Sequence, residues 1–168
     1  MSLPYRNENG DPKLLKSVVA TVDILGYQNL IKEMAKKGKL HEELLKLRKT
    51  LTKNYDHLQD DGFPSKDSES QWVVKAYTDN FIIGFPLTHR QDAEAELIDV
   101  LFRLAQFQFG MLCGGYALRG AIAVGDAYVD PEIFFGSALI EAHEAETQLA
   151  LFPRMVLSAS AAEHLKNC

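Results

Sequence analysis

The sequence predicts an α+β fold built around a ferredoxin-like βαββαβ core, an antiparallel sheet with helices on one face. Three observations lead to this prediction. The β-branched run at 17–23 is typical of a buried central strand. Two apolar runs, at 71–78 and 80–86, flank a turn and predict a hairpin. The elements follow one another in the order β-α-α-β-β-α-β-α-β-α, which fits this core with added elements.

The first half of the chain predicts two helices after the first strand. Gly26 ends the strand, and a helix follows over 27–37, with one apolar face. The second helix covers 40–58, where apolar residues recur at helical spacing: Leu44, Leu47, Leu51 and Tyr55. A polar loop at 60–70 then leads into the hairpin, which Pro86 closes.

The second half predicts a long helix, a strand region and a compact C-terminal part. The strand region covers 116–129, and it is followed by a helix at 137–151, a strand at 154–158 and a short helix at 159–166. The long helix spans 90–111, and its expected inward face comprises Ile98, Leu101, Leu104, Ala105 and Gln108.

Length and composition are those of one ordinary globular domain. We predict a single domain over 1–168, because 168 residues suffice to form one hydrophobic core. We also predict that the segment 1–14 is flexible. The apolar runs are too short to cross a bilayer, and the polar start of the chain lacks the apolar centre of a signal peptide. We therefore predict a cytoplasmic protein that does not bind membranes.

Charge and cysteine content exclude further classes. The formal net charge of −5 argues against a general nucleic-acid surface, although a bound metal would still let the chain accept a nucleotide. Cys113 and Cys168 are too few for a disulfide scaffold and have no zinc-site spacing.

Two aspartates stand out in this pattern. Asp23 ends the first strand, and Asp79 lies at the tip of the hairpin. In the predicted core these elements are neighbours, so the two carboxylates would lie side by side. They would repel each other unless a cation lay between them, which predicts a divalent-metal site for phosphate chemistry. The alternatives are a helix N-cap for Asp23 and an ordinary turn residue for Asp79.

Four ordered segments resemble the class III nucleotidyl cyclases, and together they extend over about 17–158. The similar segments are Thr21-Val22-Asp23-Ile24-Leu25-Gly26-Tyr27, Lys75-Ala76-Tyr77-Thr78-Asp79, Arg119-Gly120-Ala121-Ile122-Ala123-Val124-Gly125 and Phe135-Gly136-Ser137-Ala138-Leu139. The resemblance implies an enzyme that converts a nucleoside triphosphate to a 3′,5′-cyclic nucleotide and pyrophosphate. It also implies a homodimer with composite active sites.

The same resemblance implies roles for individual residues. Asp23, Asp79 and the Ile24 carbonyl would hold two Mg²⁺ or Mn²⁺ ions, which prefer such hard oxygen ligands. Lys75 takes the base-reading position, and its alternative is a solvated lysine on a strand. Gly26 and Tyr27 belong to the first motif and are candidate substrate contacts. Tyr27 and Tyr77 could instead pack in the core.

Three positions depart from the family pattern. The catalytic asparagine falls on Ile140, the transition-state arginine on Glu144 and the second purine-reading residue on Ile133. Because the reaction develops charge that needs a cation, Arg119 and Arg154 are candidates for that role. Either arginine could instead pair with a carboxylate of the protein.

The C-terminal part of the chain resembles one branch of this family, the pyrimidine cyclases of bacterial antiphage (Pycsar) systems. The similar residues lie at 135–146 and 152–156. This resemblance implies CTP or UTP as the substrate and a role as signal synthesis in antiphage defence. A catalytically inactive cyclase-homology domain, which binds nucleotide or dimerises, is the alternative. For His143 and the neighbouring glutamates, we favour a solvated helix face over a metal cluster.

Overall fold

The computed structural model describes residues 5–59, 73–77, 79–87, 93–130 and 132–166. Within these ranges the chain forms five helices and six strands. They are β1 (Leu15–Ile24), α1 (Tyr27–Lys36), α2 (Leu40–Gln59), β2 (Val73–Tyr77), β3 (Asn80–Pro86), α3 (Ala93–Cys113), β4 (Leu118–Val129), β5 (Phe134–Phe135), α4 (Ser137–Leu149), β6 (Met155–Leu157) and α5 (Ala159–Lys166). The predicted loop at 60–70 and the predicted helix start at 90–92 lie outside the described residues.

The strands form one sheet in the order β2-β3-β1-β4-β5. Strand β6 pairs with β4 in parallel, and the other pairs are antiparallel. The prediction of an α+β fold with a ferredoxin-like core is therefore confirmed. Strand β5 was not predicted, because a strand of two residues is too short to show a periodic pattern.

Helices cover both faces of this sheet. Val18 and Val22 of β1 belong to a core cluster with residues of α2, α3 and α5. On the opposite face, Val19 packs with Ala138 and Ala142 of α4. The prediction of helices on one face is therefore wrong, and the reason lies in β1. Nearly every position of this strand is buried, as in strands that are covered on both sides.

The inward face of α3 also differs from the prediction. The structure buries Leu97, Val100, Leu104, Phe107 and Met111. Ile98, which we expected inside, is 59% exposed. Helix α3 carries apolar residues on most sides, so periodicity alone does not show which stripe faces the sheet. In none of the described helices is there a stretch with the length and apolarity that crossing a membrane requires.

The N-terminal segment is attached to the sheet from Tyr5 onward. The Tyr5 ring is buried, and its hydroxyl donates a hydrogen bond to Oγ of Ser17, at 3.0 Å. Arg6 forms an ion pair with Asp130, with 3.6 Å between Nη2 and Oδ2. Tyr5 and Arg6 thus contact the sheet and the turn after β4, and the flexibility of the segment stays a prediction.

Asp130 organises the turn that follows β4. Its Oδ1 accepts hydrogen bonds from the backbone N–H groups of Glu132 and Ile133, both at 2.7 Å. Its Oδ2 accepts a bond from the Tyr128 hydroxyl, at 2.8 Å. The Ile133 N–H and the Tyr128 hydroxyl are the main causes that lower the pKa of this carboxyl group. The charged form therefore stabilises the folded state.

We predict that Asp130→Asn lowers the urea midpoint of unfolding at pH 7. Because the pKa is depressed in the folded state, this contribution is present above the ordinary aspartate pKa and is lost as the pH falls through the folded value. The difference between wild type and variant should therefore shrink below about pH 4. Asp126→Asn, at an exposed position of β4, is the matched control and should have little effect. A difference that does not change with pH would contradict this account.

Candidate active site

The chain segments that carry the two aspartates singled out in the sequence pair at the end of β1. Asp23 lies opposite Asn80 in the pairing of β1 with β3. The N–H of Ile24 donates a hydrogen bond to the carbonyl oxygen of Asp79, at 3.0 Å. The chain segments that carry both carboxylates are therefore adjacent. Their role as metal ligands stays a prediction.

Asp23 forms an ion pair with Arg119 of β4. The two residues are opposite each other in the strand register, and 2.9 Å separates Nε of Arg119 from Oδ2 of Asp23. The Asp23 side chain is 14% exposed and the Arg119 side chain 29%. Partial burial strengthens such a charge-assisted hydrogen bond relative to one at the surface. The guanidinium therefore neutralises Asp23, as the alternative interpretation of Arg119 expects, and its catalytic role stays a prediction.

A further carboxylate, that of Glu146 of α4, lies on the other side of Arg119 and forms a cluster with Arg119 and Asp23. Its side chain is only 5% exposed, and its Oε1 lies 3.7 Å from Nη2 of Arg119. Burial raises the pKa of Glu146, while the nearby Thr21 hydroxyl and the Arg119 charge act in the opposite direction. The arrangement places one guanidinium between two carboxylates.

Glu146 was not predicted from the sequence as a site residue, although a signal was present. Ala138, Ala142 and Glu146 are spaced by four residues, so a helix that buries the two alanines buries the glutamate as well. The prediction of a solvated face holds for His143, whose side chain is exposed, with Nδ1 3.9 Å from Oε2 of Glu146. It is wrong for Glu146.

The hydroxyl of Thr21 is an unusual feature of this cluster. Thr21 lies two residues before Asp23 on the same face of β1. Its Oγ1 is buried and has no hydrogen-bond partner among the described residues, although it is near enough to Glu146 to lower the pKa of that carboxyl group. A buried hydroxyl without a partner costs free energy, so this position is not optimised for stability alone.

Lys75 lies on β2 and faces two aromatic rings. Its Nζ is 5.6 Å from the centroid of the Phe134 ring and 6.0 Å from that of Tyr77. The register aligns Lys75 with Ile82 and Ile82 with Thr21, so Lys75 is on the same sheet face as Thr21. Contact of Lys75 with a base stays a prediction.

Gly26 and Tyr27 form the junction between β1 and α1. Gly26 has a φ of 73°, in the left-handed region that favours glycine. A Cβ atom at this position would meet nothing within 4 Å, so the requirement for glycine is conformational and not steric. Tyr27 packs against the core on the side of α2 and α3. This packing agrees with the alternative interpretation of Tyr27, and its contact with the substrate stays a prediction.

The other predicted cation, Arg154, contacts the end of α4. Its Nη2 donates a hydrogen bond to the carbonyl oxygen of Leu149, at 2.8 Å, where α4 ends. A cation is favourable at a helix C-terminus, where carbonyl groups lack partners. The Arg154 side chain thus stabilises α4, and its contact with the substrate stays a prediction.

The three positions that depart from the family pattern lie at the surface. Ile133 and Glu144 are exposed, and Ile140 is 63% exposed. They extend from the turn before β5 and from the outer side of α4. Within the described part of one chain, these three residues make no contact with the cluster around Asp23.

The donor set at the end of β1 suits a hard divalent cation. Asp23, Asp79 and the Ile24 carbonyl offer oxygen ligands, and Mg²⁺ commonly completes its shell with water and phosphate oxygens. The described part of the chain contains no cluster of three or more acidic, histidine or cysteine side chains that could hold a metal alone. The contact of Arg119 with Asp23 is made through Oδ2 of that carboxylate. The residues therefore fit such an ion, with Arg119 as a competitor for one ligand.

We predict that Thr21→Val stabilises the protein by about 1 kcal/mol, because it removes a buried hydroxyl that lacks a partner and keeps a β-branched shape. Urea unfolding at pH 7 measures the change. Thr147→Val, at an exposed position of α4, is the control and should change stability by less than about 0.5 kcal/mol. A loss of more than about 1 kcal/mol in Thr21→Val would show that this hydroxyl is bonded to Glu146.

Comparisons with known proteins identify the fold. No protein-family model matches the chain, and no curated protein matches it. Among the solved structures, the adenylyl cyclase CyaB from P. aeruginosa superposes with a TM-score of 0.69 at 14% sequence identity. The match covers 92% of this chain and 82% of that chain. At this identity the likeness shows the fold alone, and the chain has the class III cyclase-like fold that its motifs predicted.

Proposed function

We propose that the protein is a metal-dependent nucleotidyl cyclase, which converts a nucleoside triphosphate to a 3′,5′-cyclic nucleotide and pyrophosphate. The observation that carries the proposal is the pairing, at the end of β1, of the chain segments that carry Asp23 and Asp79. It occurs in a fold similar to that of an adenylyl cyclase. Two carboxylates and a carbonyl oxygen on adjacent segments offer oxygen ligands of the kind that metal-assisted nucleotidyl transfer needs.

In this reaction a ribose 3′-hydroxyl attacks the α-phosphorus and the bond to pyrophosphate breaks. Mg²⁺ or Mn²⁺, held as two ions by Asp23, Asp79 and the Ile24 carbonyl, would lower the pKa of the hydroxyl and offset the phosphate charge. The chain contributes the N-terminus of α1, which begins after Gly26 and offers backbone N–H groups to phosphate oxygens.

We assign to Arg119 the stabilisation of the negative charge that develops on the phosphate oxygens during the reaction. Its guanidinium lies beside Asp23, whereas Arg154 is bonded to the end of α4. A guanidinium carries five N–H donors, so Arg119 could keep a carboxylate contact and still bind a phosphate oxygen. Glu144, at the family's arginine position, has the wrong charge for this role.

We further propose CTP or UTP as the substrate and synthesis of a signal in antiphage defence as the biological role. Both proposals rest on the resemblance to the antiphage pyrimidine cyclases. The aromatic surroundings of Lys75, formed by Tyr77 and Phe134, support a base site on this sheet face. Rings of this kind commonly stack on bases.

We propose that the active form is a homodimer with composite active sites. Large apolar side chains are exposed on the described part of the chain, among them Phe135 of β5 and Ile140 of α4. Exposed apolar side chains that lie together commonly mark protein interfaces. A second copy of the chain would cover these side chains.

A second candidate function is a catalytically inactive cyclase-homology domain that binds nucleotide or dimerises. Two observations favour it. Ile140 and Glu144 replace the polar stabilisers of the family, and Arg119 neutralises Asp23. Binding of metal and nucleotide without product would support this candidate.

We predict that the protein, incubated separately with ATP, GTP, CTP and UTP in the presence of Mn²⁺, forms a cyclic nucleotide from CTP or UTP. Mass spectrometry of the product and release of pyrophosphate measure the reaction. A linear oligonucleotide or a nucleoside diphosphate would indicate a different phosphotransfer enzyme. Metal-dependent binding of nucleotide with no product from any of the four would favour the inactive domain.

We predict that Asp23→Asn and Asp79→Asn each lower the rate roughly 1,000-fold, because several kcal/mol of charge stabilisation depends on these carboxylates. Asp126→Asn, at the opposite end of the sheet, makes the same chemical change and should keep the wild-type rate. Circular dichroism confirms that all three variants are folded. Full activity of both site variants would refute the proposed metal site.

A further inference from the structure

The Arg119 guanidinium contacts two carboxylates unequally. Its Nε is 2.9 Å from Oδ2 of Asp23, while its Nη2 is 3.7 Å from Oε1 of Glu146. The first distance is that of a charge-assisted hydrogen bond, and the second is that of a looser ion pair. Both carboxylates are therefore within reach of one guanidinium, and Asp23 holds it more closely.

Glu146 depends on a positive partner because it is buried. Its side chain lies on the buried face of α4 and is only 5% exposed, so an unpaired carboxylate there would be costly in free energy. The His143 ring reaches it only at 3.9 Å and from an exposed position. The nearby Thr21 hydroxyl carries no charge. Arg119 is thus the permanent cation on which Glu146 relies among the described residues.

If the proposed function is right, Asp23 in contrast has two competing partners, the Arg119 guanidinium and a divalent cation. A divalent cation and a guanidinium on one carboxylate repel each other at such short distances. Binding of the ion at Asp23 therefore weakens the contact with Arg119. A displaced guanidinium needs another acceptor nearby, and Glu146 lies on its other side.

We propose that Arg119 exchanges acceptors: it holds Asp23 when no metal is bound and moves onto Glu146 when a divalent cation binds. Glu146 is then a positioning residue, which acts through Arg119 and not on the substrate. The exchange sets the metal affinity of the site. This inference rests on the proposed metal site at Asp23.

A double-mutant cycle on Mn²⁺ affinity, measured by electron paramagnetic resonance without nucleotide, tests the exchange. Arg119→Met removes the competitor and should tighten binding about fivefold, whereas Glu146→Gln removes the second acceptor and should weaken it about fivefold. In the Arg119→Met background, Glu146→Gln should change the affinity by less than about twofold. An equal effect of Glu146→Gln in both backgrounds would mean simple through-space attraction and would overturn the inference.

Two controls separate this inference from the proposed function. Glu144→Gln makes the same change at an exposed position of α4 and should leave the affinity within about twofold. Asp23→Asn should abolish the binding. If Asp23→Asn keeps wild-type affinity, the proposed metal site itself fails. If it loses binding while the cycle is additive, only the exchange fails.

A measurement on the unmodified side chains covers the case in which Arg119→Met does not fold. In ¹⁵N-labelled protein, the Nε–H resonance of Arg119, identified with Arg119→Lys, should shift and saturate during titration with Mg²⁺. The same titration of Asp23→Asn should leave this resonance in place. A resonance that stays unchanged while backbone signals of Asp23 and Ile24 shift would overturn the exchange.

Discussion

Strand β1 is paired along both of its edges, with β3 over Ser17–Asp23 and with β4 over Leu15–Ile24. The rest of the site depends on this double pairing. Its register places Asp23 between Asn80 and Arg119 and directs the Ile24 N–H to Asp79. A slip by one residue would move the Asp23 side chain to the other face of the sheet, away from α4. The charges therefore meet because of long-range strand pairing and not because of local sequence.

The features that the sequence could predict are those with a local pattern. The β-branched run at 17–23 and the two strands of the hairpin have such patterns, and the core topology then makes them neighbours. The phase of α3 could not be predicted, because its apolar residues surround the helix and only packing selects the stripe with Leu97 and Leu104. Coverage of both faces by helices was indicated by β1 itself, where Val18, Val19 and Ala20 follow one another without a polar residue, so that both faces of the strand are apolar there.

Within the site, backbone positions were easier to predict than side-chain directions. The topology alone predicted that Asp23 would lie beside Asp79. Arg119 and Arg154 were equivalent candidates in the sequence, because a long side chain can reach several partners from one strand position. The structure separates them, since one guanidinium contacts Asp23 and the other contacts the end of α4. Glu146 is buried because it shares a helix face with two buried alanines. The position of a residue around the helix therefore predicts its burial better than its charge does.

The cluster holds more negative than positive charge, since the carboxylates of Asp23 and Glu146 flank the single guanidinium of Arg119. Asp79 lies in the neighbouring segment, whose carbonyl oxygen accepts a hydrogen bond from Ile24. The central claim is that a divalent cation completes this balance at Asp23 and Asp79. Anomalous diffraction from crystals grown with Mn²⁺ and a non-hydrolysable CTP analogue tests the claim most directly. We expect an anomalous peak within ligand distance of both aspartates, with Arg119 on Glu146. A peak elsewhere, or none with the nucleotide bound, would contradict the account.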